Sequence, residues 1–408
     1  MMTDTIIKQL PPMLTGNELK QALIHLPNYD ETLPVKSKAE RLVALSDLYQ
    51  IFIPSEMAIE IYNRLYLSLL RSFQKKTERS VISQYYENAD MIVGTNHNSI
   101  IGGADSFTVI GTSGIGKSTA INKAIGLITQ DNIINISCPH TRIIPCIVVQ
   151  CPFDASVKGL LYEILRKIDE ALGSDYYNKA LKIRASTDML IGSVSQAAIN
   201  HIGLLVVDEI QNVVNNKNGK RLIGMLTQLI NNSGISICMV GTQSCTELFE
   251  SEMQLARRSL GLNYTSVPYN RFFHDFCRIL LSYQYTESKT NITDLLISWL
   301  YEHSSGIISV VVSLIHDAQE IAILSGTEVL NIDTLTKAYN KRLSMLHGFI
   351  KPASIKNTRN TKSKTHISTA AEQMPSITIS EIITEAKETQ LDVINQLRKY
   401  IAVEVIRI

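Results

Sequence analysis

The chain has 408 residues, 45% of them hydrophobic, with 39 Lys and Arg against 38 Asp and Glu for a formal net charge of +1. That length accommodates two or three domains, and that hydrophobic share excludes an intrinsically disordered chain. The near-zero charge excludes a uniformly basic protein, so any surface for nucleic acid has to be a local patch.

No apolar stretch reaches membrane-span length on sequence; Ile307–Ile315 comes nearest and is ended by His316 and Asp317. Asp4 and the lack of a basic region before an apolar one argue against a signal peptide. The six cysteines, Cys138, Cys146, Cys151, Cys238, Cys245 and Cys277, lack metal-ligand spacing. Reduced, mostly buried thiols in a cytoplasmic protein with no membrane partner are therefore expected.

Residues 1–100 read as a mostly helical N-terminal extension. A loose segment with Pro11, Pro12, Pro27 and Pro34 leads into helical patterns at Ser37–Tyr49 and Ser55–Thr77. In the second pattern Ile59, Tyr62, Leu65, Leu69 and Phe73 recur at helical spacing, as a packing face does.

Residues 101–265 read as a nucleotide-binding core. Ser106–Ile110 is a short β-rich run, Thr119–Ile128 is helix-compatible, and between them stands Gly111-Thr112-Ser113-Gly114-Ile115-Gly116-Lys117-Ser118-Thr119. This fits G-x-x-x-x-G-K-[ST], the loop whose backbone N–H groups wrap the phosphates of a nucleotide such as ATP. Glycines let the backbone approach, Lys117 brings charge to the β- and γ-phosphates, and the Ser118 hydroxyl is placed to ligate Mg²⁺. About 90 residues later comes Leu204-Leu205-Val206-Val207-Asp208-Glu209. The apolar run predicts a strand buried on both faces of a parallel sheet. At its end Asp208 can hold the Mg²⁺ or its water, and Glu209 can polarise an attacking water.

Further strands are predicted at Ile143–Gln150 and Ile235–Val240, the latter ending at Gly241-Thr242-Gln243. Thr242 is placed to sense the γ-phosphate, or is a plain turn residue. Arg257 and Arg258 suit either a neighbour-directed arginine finger or a solvated surface. Asn178–Thr187 holds Lys179, Lys182 and Arg184 without an acid, a candidate DNA contact or a solvated helix face.

Residues 266–347 are helix-rich, with apolar faces in Phe272–Tyr283, Ile292–Tyr301, Ile307–Leu324 and Ile332–Leu346. Residues 348–371 read as a flexible basic linker carrying Lys351, Lys356, Arg359, Lys362 and Lys364, an alternative DNA contact or a tether, and 372–408 as a C-terminal tail segment.

The phosphate loop, the DEIQ at 208–211, the GTQ at 241–243, the QLARR at 254–258 and the helical region after them resemble the AAA+ ATPases of the initiator clade. Within that clade the chain looks most like TnsC/TniB, ATP-dependent regulators of DNA transposition. The resemblance covers roughly residues 40–345 and implies an α/β fold: an AAA+ P-loop NTPase core with a parallel sheet, a helical lid and a helical N-terminal region. It further implies ATP hydrolysis and ATP-dependent assembly as a ring or helical filament on double-stranded DNA. A transposase and a target-selection protein are the implied partners. Two other readings stand beside it: another initiator-type ATPase, such as a replication loader or secretion-associated ATPase, and a nucleotide-gated scaffold with little turnover. The chain departs from the clade at Gly306-Ile307-Ile308-Ser309, where many AAA+ proteins carry a lid arginine.

Overall fold

Proline punctuation keeps the first helices short, and the first long one begins only after Pro54. The computed structural model describes residues 7–93, 106–130, 132–137, 140–214, 216–251, 259–344 and 347. Helix α1 spans Gly16–Leu23, α2 Lys38–Ala44 and α3 Glu56–Val93. α2 opens on a capping box: the Ser37 hydroxyl accepts from the Glu40 N–H and the Glu40 carboxylate accepts from the Ser37 N–H. A 3₁₀ stretch, Leu45–Gln50, follows it.

The stripe predicted on α3 is the packing face it was read as. Tyr62, Leu65, Leu69 and Phe73 are buried, and Ser72 Oγ donates to the Gly203 carbonyl at 2.6 Å. A Cβ on Gly203 would lie 2.6 Å from Leu69 Cδ1 and 2.9 Å from Phe73 Cε1, so only glycine allows the helix this close to the sheet.

The core then runs β1 (Ser106–Gly111), α4 (Lys117–Thr129), β2 (Ile134–Ser137), β3 (His140–Gln150), α5 (Val157–Leu172), α6 (Tyr176–Lys182), α7 (Thr187–His201), β4 (Ile202–Asp208), α8 (Gly219–Ser233), β5 (Ser236–Gly241), α9 (Thr246–Ser251) and β6 (Ser259–Tyr264). The strands form one sheet in the order β2-β3-β4-β5-β1-β6. All neighbours are parallel except β2 and β3. The expected parallel sheet is present, with one antiparallel strand added at its edge. β2 and β3 are joined by residues 138–139 alone, too few for the crossover that a parallel pair needs. As its apolar run implies, β4 is buried from Ile202 to Val207.

After the sheet come α10 (Arg271–Ser282), α11 (Asp294–Ser304), α12 (Ile308–Ser325) and α13 (Ile332–Arg342). They share one apolar core that also takes in Leu45, Leu48 and Ile51 from the N-terminal region. α1 and α3 instead join the apolar layer on one face of the sheet. The N-terminal region therefore divides between the two bodies. Its anchor on the helical side is Arg41, whose side chain is only 1% exposed. The guanidinium donates to Glu328 at 2.6 and 3.0 Å, to the Tyr285 carbonyl at 3.2 Å and to Glu287 at 3.3 Å.

α12 corrects the expectation on membrane-span length. It continues through His316 and Asp317 to Ser325, long and apolar enough to cross a membrane. Half of it is buried inside the protein, and Val311, Leu314, Ile315 and Ile323 belong to the helical core. The five described cysteines are all unpaired, and Cys138 lies outside the described residues. Burial pushes the Cys146 and Cys151 thiols up to about 12, far from a reactive thiolate.

Candidate nucleotide site

β1 delivers the glycine loop and α4 begins at Lys117, so the loop closes over a helix N-terminus, where N–H groups favour an anion. Gly111 is required by packing: a Cβ there would sit 2.7 Å from the Tyr264 carbonyl oxygen on β6. Gly114 and Gly116 take φ of 81° and 95°, a region that L side chains rarely adopt. Lys117 Nζ lies back along the loop, donating to the Gly111 and Thr112 carbonyls at 2.8 and 2.9 Å. Burial lowers its pKa from the ordinary lysine value, while Asp208 and Glu209 pull it the other way.

The strand order puts β5 between β1 and β4, and the two motifs meet above its end. Ser118 Oγ donates to Asp208 Oδ2 at 2.8 Å. These are two hard oxygen donors, a set that fits Mg²⁺, which binds through one or two protein oxygens plus water and phosphate. The second Asp208 oxygen accepts from the Glu209 N–H at 2.8 Å. Glu209 itself stands at φ 58°, a left-handed conformation uncommon for a residue with a side chain and concentrated at functional sites. Its carboxylate accepts from Gln211 Nε2, whose amide oxygen accepts from the Thr242 N–H at 3.3 Å. The Thr242 hydroxyl is within hydrogen-bond distance of Ser244 Oγ, at 2.8 Å.

These groups open into a cleft of about 400 Å³. Its polar end is the loop, Asp208, Glu209, Gln211 and Thr242, and its apolar end includes Ile51, Phe52, Ile53, Met57, Phe272 and Val312. Sequence reasoning missed the contribution of residues 51–57. Their only local signal is a short apolar run between Gln50 and Pro54, and nothing in it points to a cleft 60 residues further on. Phe52 is held by paired backbone bonds with His25 at 2.8 and 2.9 Å.

Where the lid arginine is missing, the first turn of α12 meets the phosphate loop directly. The Ser309 N–H donates to the Gly114 carbonyl at 3.0 Å, and a Cβ on Gly114 would lie 2.2 Å from Ser309 Oγ. Gly306, at φ 75°, lets Val267 pack against the turn before that helix and donate to its carbonyl at 3.0 Å.

The structure thus gathers Ser113–Thr119, Asp208, Glu209 and Thr242 at one cleft, with Gly111 and Thr112 leading into it from β1. Arg257 and Arg258 lie outside the described residues, as does the basic linker. Lys179 and Lys182 are exposed on α6, and Arg184 is exposed just past its end at φ 49°. Lys179 lines a second, more open cleft of about 840 Å³ with Arg142, Tyr176 and His201. Arg142 was not anticipated, because it sits on β3 and meets α6 only through the fold.

Residues 95–263 match a family model described as Bacterial TniB protein. A search among curated proteins finds no match. Among solved structures, the chain is similar to the ORC1 protein of Aeropyrum pernix in complex with DNA, at 15% identity and a TM-score of 0.42 over 58% of this chain and 59% of that one. It is also similar to Drosophila ORC bound to DNA, at 13% identity and a TM-score of 0.46 over 98% of this chain and 84% of that one. A Walker-type ATPase of Pyrococcus abyssi matches at 12% identity and a TM-score of 0.35, over 60% of this chain and 68% of that one. The chain spans little more than half the length of the Aeropyrum protein.

Proposed function

Starting from a core, residues 95–263, that matches the TniB family model, we propose that the protein is an ATP-dependent regulator of DNA transposition. It assembles on duplex DNA in the ATP state and recruits a transposase to a target marked by a separate target-selection protein. The observation that carries the reading is the meeting of Ser118, Asp208 and Glu209 beside the glycine loop, at the mouth of one cleft with an apolar end.

In this reading the apolar end takes the adenine and the glycine loop takes the phosphates. Lys117 leaves the Gly111 and Thr112 carbonyls for the β- and γ-phosphates, a stronger, charge-assisted pairing. Mg²⁺, held by Ser118 and Asp208, would neutralise phosphate charge there. Glu209 accepts a proton from the attacking water, and Thr242 orients the γ-phosphate end. Arg257 or Arg258 completes a neighbouring subunit's site, so that ATP favours assembly by completing an interface. Lys179, Lys182 and Arg184 contact DNA phosphates, with little sequence preference.

The test is Glu209→Gln. ATP binding is expected to persist while hydrolysis slows, leaving assemblies on duplex DNA that are visible by electron microscopy. Hydrolysis at the unmodified rate would remove Glu209 from the mechanism. A second reading, a nucleotide-gated scaffold with little turnover, draws support from the absence of a lid arginine at Gly306–Ser309. Turnover measured with and without duplex DNA separates the two.

A further inference from the structure

The third residue of the DEIQ run, Ile210, is fully buried, which turns Gln211 back toward the cleft beside Glu209. There it bridges two strand ends. Its Nε2 donates to the Glu209 carboxylate, and its Oε1 accepts from the backbone N–H of Thr242, at the tip of β5, at 3.3 Å. The chemistry leaves one orientation for this amide. A backbone N–H needs an acceptor and a carboxylate needs a donor, so exchanging oxygen and nitrogen would break both bonds. The bridge is also sterically framed. A Cβ on Gly241 would lie 3.3 Å from Gln211 Oε1 and 2.7 Å from Ile210 Cγ2, so the glycine leaves room for the amide to pass. Glu209 is exposed and in a left-handed backbone conformation, and among the described residues its carboxylate takes its side-chain hydrogen bond from this amide.

We propose that Gln211 is the positioning residue that sets the orientation of Glu209 and ties it to Thr242. It does not touch the reacting atoms. It restricts the rotamers of a carboxylate that must face a water in line with the γ-phosphate, and it links that carboxylate to the strand tip proposed to sense the phosphate. The inference rests on the reading of Glu209 as the water-activating group. Losing the amide leaves Glu209 free to sample unproductive orientations, and misplacement on the scale of an ångström lowers rates by about 100-fold.

The experiment uses the full chain with duplex DNA and compares Gln211→Leu, Glu209→Gln and the double variant. It measures kcat, the affinity for a non-hydrolysable ATP analogue, and thermal unfolding. Gln211→Leu is expected to lower kcat about 10- to 100-fold and to leave analogue affinity within about twofold. The double variant is expected to be no slower than Glu209→Gln alone, because the amide acts only through the carboxylate. Should Gln211→Leu fail to fold, Gln211→Glu takes its place: it keeps the size and the acceptor for Thr242 but removes the donor, and the same loss of kcat is expected. Unchanged kcat, analogue affinity falling in step with kcat, or losses that add in the double variant would each overturn the proposal. A Glu209→Gln variant with full turnover would instead overturn the reading beneath it, so the two failures are distinct.

Discussion

Arg41→Met removes a buried guanidinium while keeping the length of its aliphatic stem. Its cost follows from what is left behind. Glu328, with a side chain only 12% exposed, loses both of its bonds to Arg41, and the Tyr285 carbonyl loses its donor at 3.2 Å. Breaking a buried ion pair from one side costs about 3–5 kcal/mol. Arg41 Nε has no partner, and Glu287 is 59% exposed, so the low end, about 3 kcal/mol, is expected. The chain's single tryptophan, Trp299, lies on α11 among the helices that Arg41 braces, so its fluorescence in urea reports that body directly. With a slope of about 1–3 kcal/mol per molar urea, the midpoint falls by roughly 1–3 M. Adding Glu328→Gln removes the orphaned charge and restores at least half of the loss. A shift below about 0.5 kcal/mol, or no recovery in the double variant, would refute the argument that Arg41 serves to balance Glu328.

The same pair carries a pH signature. Hydrogen bonding to Arg41 holds the Glu328 carboxyl below the usual carboxylate range, so its contribution is complete above an unfolded value of about 4.3 and is lost as pH falls through the lower folded one. Between about pH 5 and 3, the urea midpoint of Arg41→Met should therefore fall less steeply than that of the unmodified chain. Lys117→Ala removes the charge nearest the phosphates and is expected to abolish ATP binding in an equilibrium titration; retained affinity would move the phosphate site elsewhere. Mixing Lys117→Ala with Arg257→Ala or Arg258→Ala should restore part of the ATPase activity for the arginine that acts across subunits, and no recovery at any ratio counts against a trans role. Neutralising Lys179, Lys182 and Arg184 together should weaken binding to unrelated duplexes about equally. It should also flatten the log–log salt slope by about 0.9 per lost phosphate contact; an unchanged slope would move the DNA surface to another part of the chain.

Legibility in the sequence tracked how local the physical demand was. A phosphate loop needs its glycines, lysine and serine at fixed offsets, so Gly111–Thr119 could be read directly, and the buried run ahead of Asp208 advertised β4. β2 and β6 could not be read in the same way. Ile134–Ser137 is four residues long, and Ser259–Tyr264 mixes Ser, Gly and Asn into its apolar positions, so each is a strand because a neighbour's edge recruits it. The apolar end of the cleft was hidden for a related reason. Ile51–Met57 forms it only once Leu45 and Leu48 have docked on one body and Ala58 and Ile61 on the other. Gln211 stood in plain view in the DEIQ run, but its partner Thr242 is 31 residues away, and no spacing rule connects them.

The division of the N-terminal region has a mechanical consequence. Leu19 and Leu23 belong to the sheet's apolar layer, Leu45, Leu48 and Ile51 to the helical body, and Ala58 onward to the sheet again, so the chain passes between the two bodies three times: between Leu23 and Leu45, at residues 51–58, and between Tyr264 and Arg271. A body hung on one strand can swing about any axis, and each further strand removes some of that freedom. The helical body is thus held at three points. The crossing at residues 51–58 forms part of the apolar wall of the nucleotide cleft, and the one between Tyr264 and Arg271 sets Val267 against the Gly306 carbonyl, beside the turn whose end bonds to Gly114. A ligand in that cleft touches two of the three crossings at once, so both bodies feel its binding.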